Sequence, residues 1–225
     1  MRFDIIIFMF KGLLNSFLNL IYKQKCIICG CSKTDNLLCK NCLKDVNYLS
    51  SFPHKIHNSI PIYSACIYMT TVKKIIQLLK FSHKKTMSLV LARIVFEYFK
   101  KLNLKEDFIV IYPDSFIFKN LSRGYEHMYL VAKEFCNLSG LKLYKHAILK
   151  TKNTIAQYKA KNRRTNIKEA FKINKKYIEL LKRKPVLLID DIITSGATLE
   201  EIISVLKKEN INNITCLTIS KAIKL

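Results

Sequence analysis

From Ile62 to the C-terminus the chain alternates two hydrophobic periodicities. Val72, Ile75, Ile76 and Leu79 recur at three- and four-residue spacing among lysines and glutamine, which predicts an amphipathic helix over Val72–Phe81; Leu89–Phe99 repeats the pattern. Between such runs lie short, continuous apolar blocks. Phe108–Tyr112 and Val186–Ile189 are too short for helices and rich in β-branched residues, so they read as strands buried on both faces. Tyr125–Leu138 and Leu199–Lys208 return to the helical period, His146–Leu149 and Ala170–Ile173 are strand-like, and Ile214–Ile219 is the last strand, closing the sheet. Alternation of this kind predicts an α/β fold: a mainly parallel sheet flanked by helices on both faces, with ligands beyond the carboxyl ends of its strands. No internal repeat is visible.

The pattern before Ile62 is different. Residues 1–25 carry Leu13, Leu14, Phe17, Leu18 and Ile21 at helical spacing, while Asp4 and Lys11 interrupt apolar blocks too short to span a bilayer. No small-residue cleavage site follows. An amphipathic helix packed on the body of the protein is expected, the alternative being a helix on a membrane surface; either way no stable membrane insertion is expected, and the protein reads as cytoplasmic. Residues 48–61, polar and with two prolines, read as a linker, which leaves 26–47 as a small module and 62–225 as the main domain.

That module holds five of the eight cysteines: Cys26-x2-Cys29, Cys31 and Cys39-x2-Cys42. Two CxxC turns each aim a pair of thiolates at one point, and together they complete a tetrahedral Zn²⁺ site in a segment too short for its own core. Cys26, Cys29, Cys39 and Cys42 are the expected structural zinc ligands; Cys31 is a possible replacement for Cys29. A disulfide pair or reactive thiols are the competing readings. Cys66, Cys136 and Cys216 sit in apolar stretches and read as core.

The most specific chemistry lies in Pro185–Thr198, PVLLIDDIITSGAT. An apolar strand ends in Asp190 and Asp191, then in a small hydroxyl-rich loop that opens a helix. Backbone N–H groups of Thr194–Thr198, the helix dipole and the flexibility of Gly196 suit a phosphate, with hydroxyls from Thr194, Ser195 and Thr198. Ionised carboxylates only accept, so Asp190 and Asp191 suit the 2- and 3-hydroxyls of a ribose. One turn is thus arranged for a 5-phosphorylated pentose. Arg123-Gly124-Tyr125 forms a second strand–loop–helix junction, where Arg123 could meet phosphate oxygens while Gly124 allows close approach. A polar basic stretch, Thr151–Asn166, carries Lys152, Lys159, Lys161, Arg163 and Arg164 and reads as a lid over a pyrophosphate or as a solvated loop.

Charge adds a partner class. With 39 Lys and Arg against 16 Asp and Glu, the formal charge of +23 favours nucleic acid, anionic surfaces or phosphorylated ligands. The chain is also crowded with Lys, Ile, Asn, Phe and Tyr, the residues of AT-rich codons, so codon composition is a competing source of the excess. No Gly-x4-Gly-Lys-Ser/Thr loop and no His-Glu-x2-His motif is present, which leaves ATP hydrolysis of the helicase type and metalloprotease chemistry unsupported.

The loop from Asp190 to Thr198 resembles, position for position, the PRPP-binding motif of type I phosphoribosyltransferases: two acids, two apolar residues, then Thr-Ser-Gly-Ala-Thr. Nearly the whole chain is similar to the ComF family of competence-associated phosphoribosyltransferase-like proteins with an N-terminal zinc ribbon. The matching pieces are the leading helix, the CxxC pair, Leu79-Lys80-Phe81, the strand ending at Pro113, Arg123-Gly124-Tyr125, Thr154, Gln157, Arg163, Asn166, Ala170, Phe171 and the signature loop. Family members usually carry Asn-Gln where this chain has Glu126-His127, and leucine at Ala160. The resemblance implies a type I phosphoribosyltransferase-like fold and a role in DNA uptake during natural transformation. It also implies binding of PRPP or a related phosphoribose with Mg²⁺, through Asp190, Asp191, Thr194–Thr198, Arg123, Gly124, Arg163 and Arg164, with single-stranded DNA and other competence proteins as partners. Asp190, Asp191 and Arg123 are then the catalytic candidates, with displacement of pyrophosphate at the anomeric carbon as the chemistry. The alternative is an active phosphoribosyltransferase of nucleotide metabolism or salvage. No general base or acceptor site is evident from sequence.

Overall fold

The computed structural model describes residues 25–32, 37–115, 124–151 and 169–223. Contacts divide the chain into two units, Met1–Val46 and Asn47–Leu225. The helix expected over residues 1–25 lies, but for Lys25, outside the described residues, as do Arg123, Arg163 and Arg164 and most of the basic stretch.

In the first unit a short helix, α1 (Lys40–Lys44), leaves the second CxxC turn. It starts there because the Cys39 thiol accepts the Cys42 N–H at 3.4 Å and so caps the helix. The first turn closes through Gly30 N–H to the Cys26 carbonyl at 2.8 Å, with Gly30 at φ +76°.

The second unit is built on a six-stranded sheet: β1 (Lys55–His57), β2 (Ile60–Ile67), β3 (Ile109–Ile111), β4 (Lys142–Leu143), β7 (Val186–Ile193) and β8 (Ile214–Lys221), in the order β1-β2-β8-β7-β3-β4. Only β1 and β2 pair antiparallel; the remaining neighbours are parallel. A two-stranded antiparallel ribbon, β5 (Ile148–Lys150) with β6 (Phe171–Ile173), joins the chain after β3 through a Pro113–Ile148 bridge. Helices α2 (Thr70–Phe81), α3 (Met87–Leu102) and α4 (His127–Ser139) connect the earlier strands; α5 (Ile178–Arg183) precedes β7 and α6 (Ala197–Lys208) links β7 to β8.

The period-2 alternation of the strands sorts the core into two layers. Ile109, Ile111, Val186, Leu188, Ile214 and Cys216 pack with Leu199, Ile202, Ile203 and Leu206 of α6, together with Leu181 of α5 and Phe171 of β6. The intervening Val110, Leu187, Ile189 and Leu217 are equally buried. Helices α3 and α4 pack on each other and on the sheet, with Phe99 and Phe135 edge to face at 5.4 Å.

The structure places the last strand and changes two expectations. The last strand, β8, is sandwiched between β2 and β7 and is buried from Ile214 to Ser220, with Thr215, Thr218 and Ser220 buried among its apolar residues. Strand β7 does not stop at Ile189 but runs to Ile193, because Asp190, Ile192 and Ile193 keep pairing with Thr218, Ser220 and Lys221. The stretch expected as a linker holds an edge strand and a hairpin, with Leu49 N–H to Ala65 O and His54 N–H to Ile62 O extending the pairing. Proline is compatible with such an edge.

The topology fixes where a ligand can go. The chain leaves β3 through α4 toward β4 on one side, and leaves β7 through α6 toward β8 on the other. The carboxyl ends of β3 and β7 therefore flank a topological switch point, the crevice where open α/β sheets hold their ligands.

Candidate functional site

Asp190 and Asp191 are placed in the last half of β7 rather than in the loop that follows. Adjacent strand positions face opposite sides of a sheet, so the two carboxylates serve different layers. Asp191 turns toward α2 and α4: it is ion-paired with Lys80 and lies 3.2 Å from His127 Nε2, with its side chain 16% exposed. Burial pushes its carboxyl up, but the Lys80 ammonium and the His127 contact outweigh this and hold it well below the usual carboxylate range. Asp190, on the other face, is buried and pushed up to about 7, first by desolvation and then by the Asp191 charge, against the Asp191 N–H bond, Lys80 and Lys150. Its Oδ1 accepts the Asp191 N–H at 2.8 Å.

The loop Thr194–Gly196 carries the chain from β7 into α6, which begins at Ala197, two residues before its expected start. Gly196 is the cap residue at φ +85°, a left-handed conformation that side-chain-bearing residues rarely adopt. Ser195 Oγ accepts the Ala197 N–H at 3.4 Å. Thr194, Ser195, Gly196, Ala197 and Thr198 all border one cavity of about 450 Å³, which Asp190 and Asp191 also line. Volumes of this order hold small-molecule ligands.

The opposite wall comes from the end of β3 and the start of α4. Pro113, Asp114, Ser115, His127 and Met128 line it, while Gly124, at φ +68° in the turn before α4, does not. Glu126 and His127, the positions where the chain departs from the family pattern, are both built into this region. Glu126 accepts the Ser115 N–H at 2.7 Å and the Tyr112 hydroxyl at 3.1 Å, tying the loop after β3 to the N-terminus of α4. Asp114 meets His146 Nδ1 at 2.9 Å; burial lifts its carboxyl to about 6 despite that bond.

Sequence reasoning missed Lys80 and His127 as partners of Asp191, and Lys55 as a partner of the loop. Lys55 Nζ lies 3.4 Å from the Ser195 carbonyl oxygen and is ion-paired with Glu200 in the first turn of α6. The available signals were slight: a lysine within Leu79-Lys80-Phe81, and a histidine opening a helix that starts after a strand.

In the first unit, Cys26, Cys29, Cys31 and Cys39 bring their sulfurs within 4.8 Å of one another. Cys42, the fourth ligand expected from spacing, is outside that set, although its thiol is buried beside Cys39, to whose sulfur its backbone N–H donates. Cys29 and Cys39 sulfurs are 3.6 Å apart, close to the edge of about 3.8 Å that a tetrahedron of 2.3 Å Zn–S bonds would have. Backbone N–H groups of Cys39 and Cys42 point at Cys26 Sγ and Cys39 Sγ, each at 3.4 Å. All five cysteines are free thiols. Donor type, spacing and N–H support fit a metal of the zinc kind.

Residues 121–223 match the family model of a phosphoribosyl transferase domain. The chain is also similar to Competence protein F of Haemophilus influenzae, 25% identical over 218 residues that cover 91% of this chain and 94% of that protein. The matched domain takes in α4, the signature loop and β4 to β8, and the mostly parallel sheet flanked by helices accords with it. These findings link the chain to phosphoribosyl transferase domains and to a competence protein. Among the described residues no helix is long and apolar enough to cross a membrane.

Proposed function

We propose that the second unit binds PRPP or a related 5-phosphoribose in the switch-point cavity, and that the protein acts in DNA uptake during natural transformation. The observation that carries this reading is the joint placement of Asp190, Asp191 and the N-terminal loop of α6 around one cavity of about 450 Å³. The amides and hydroxyls of Thr194–Thr198 would hold the 5-phosphate, and Asp190 and Asp191 would accept from the ribose hydroxyls. Arg123, Arg163 and Arg164, with the flexible Gly124, would receive the pyrophosphate. The oxygen donors of Asp190 and Asp191 suit Mg²⁺, which when bound would offset pyrophosphate charge. Should positive charge develop at the anomeric carbon as pyrophosphate leaves, the same two carboxylates would stabilise it.

The name of the similar competence protein, together with the net charge of +23, supports single-stranded DNA as a second ligand. Phe81, 68% exposed beside Lys80, offers the kind of stacking surface a single strand uses. The match to a transferase domain favours a second reading, turnover of PRPP with an acceptor in nucleotide metabolism or salvage. The cysteine cluster of the first unit would hold a structural Zn²⁺.

Calorimetric titration tests the proposal. PRPP with Mg²⁺ should give a saturable heat that Asp190→Asn abolishes while circular dichroism stays unchanged. Single-stranded DNA should bind with an affinity that falls steeply with salt. No heat from PRPP would overturn the ligand assignment, a flat salt response would overturn the DNA assignment, and pyrophosphate release without added DNA would favour the enzyme.

A further inference from the structure

The loop's geometry has a cause far away in sequence. We infer that Lys55, on the edge strand β1, is a positioning residue for the anion site: it holds the Ser195 carbonyl so that the Gly196 N–H is aimed into the cavity. This rests on the phosphoribose reading of that cavity.

Lys55 pairs with Ile62 across the hairpin, and its ammonium reaches the end of β7, 140 residues away, to donate to the Ser195 oxygen at 3.4 Å. A trans peptide is planar, and its C=O and N–H point in opposite directions. Fixing the Ser195 oxygen on the β1 side therefore turns the Gly196 N–H to the other side, where Ser195 and Gly196 border the cavity. The approach is close. A Cβ on Gly196 would lie 3.0 Å from Lys55 Nζ and 3.5 Å from Glu200 Oε1, so the lysine tip packs directly on the loop and would have to shift slightly for any larger residue there.

Glu200 gives the contact a second effect. A carboxylate in the first turn suits the dipole of α6, yet it also sets a negative charge beside the place where a phosphate would sit. Its ion pair with Lys55 offsets that charge. The hairpin thus supplies two things that a helix N-terminus needs in order to take an anion: a fixed peptide plane and a neutralised acid.

Ribose 5-phosphate binding to the full-length chain, together with amide NMR, tests this. Lys55→Met should weaken ribose 5-phosphate about tenfold, because the Gly196 N–H is then no longer held in place for the phosphate and Glu200 is left unneutralised. It should also move the Gly196 amide resonance in the free protein. Lys55→Arg, which keeps charge and donors, should restore both. Lys55→Met with Glu200→Gln should recover only part of the affinity. An unmoved Gly196 amide, or full recovery in the double variant, would overturn the orienting role. A lowered melting temperature with neither the amide shift nor the arginine rescue would reduce Lys55 to a structural tie. If the wild type binds no phosphoribose, the cavity reading fails by itself, and the Gly196 amide in Lys55→Met still decides whether Lys55 sets the peptide plane.

Discussion

Asp190 and Asp191 share a side chain and a strand, yet their surroundings push them in opposite directions, and stability should show it. Asp190 keeps its proton to about pH 7 in the folded chain but would lose it near the ordinary 3.8 when unfolded. Between those values the folded state binds more protons, so stability falls as pH rises, and above pH 7 the whole penalty is present. Asp191 is displaced the other way by Lys80 and His127; its contribution is present above the ordinary carboxylate pKa and is lost as pH falls through the lowered one. Asp190→Asn should therefore raise the melting temperature at pH 8 and change it little at pH 4. Asp191→Asn at pH 8 should cost about 3 kcal/mol, since it leaves the Lys80 ammonium without its buried partner. Thermal melts of both variants at the two pH values check the pair, and a fall for Asp190→Asn at pH 8 would show that burial is not what governs its carboxyl. A destabilising acid retained at a cavity is the usual compromise of a binding site.

At the scale of elements, the β1–β2 hairpin turns through Asn58 and Ser59, both left-handed at φ +49° and +65°. Asparagine tolerates that region; serine is strained in it. Ser59→Gly should stabilise the chain by about 0.5 to 1 kcal/mol, seen as a higher denaturation midpoint with unchanged slope. A lower midpoint would mean that the Ser59 side chain has a role the turn geometry does not reveal. The same hairpin shows what could be read from sequence and what could not. The cores of the helices, Val72–Phe81 and Leu199–Lys208, and the apolar blocks of the strands, Phe108–Tyr112 and Val186–Ile189, are visible in sequence because local periodicity reports burial directly. The polar, proline-bearing hairpin carried no such signal and read as a linker. Strand β7 looked shorter than it is because aspartate disfavours strands, a local preference that pairing with β8 overrides. The loop from Asp190 to Thr198 is legible because its residues are contiguous. Lys55, Lys80 and His127 reach the site only through strand order and helix docking, which no window of sequence contains.

For the molecule as a whole, the two units depend on different physics. The second buries a two-layer core, whereas the described part of the first rests on a cluster of thiols and one helix of five residues. Freshly purified protein should carry one zinc per chain by elemental analysis, and Cys39→Ser should lose it, since Cys39 belongs to both candidate ligand sets. Comparing Cys31→Ser with Cys42→Ser then identifies the fourth ligand, and wild-type protein free of zinc would remove the metal reading. The placement of Asp190 and Asp191 on opposite faces of β7 has a consequence for assembly. Because the two acids belong to different layers of the sheet, a ligand that engages both would bind only once the helices on both faces have docked. The ligand would then act as a latch on the finished sandwich, and its retention during refolding would date that event.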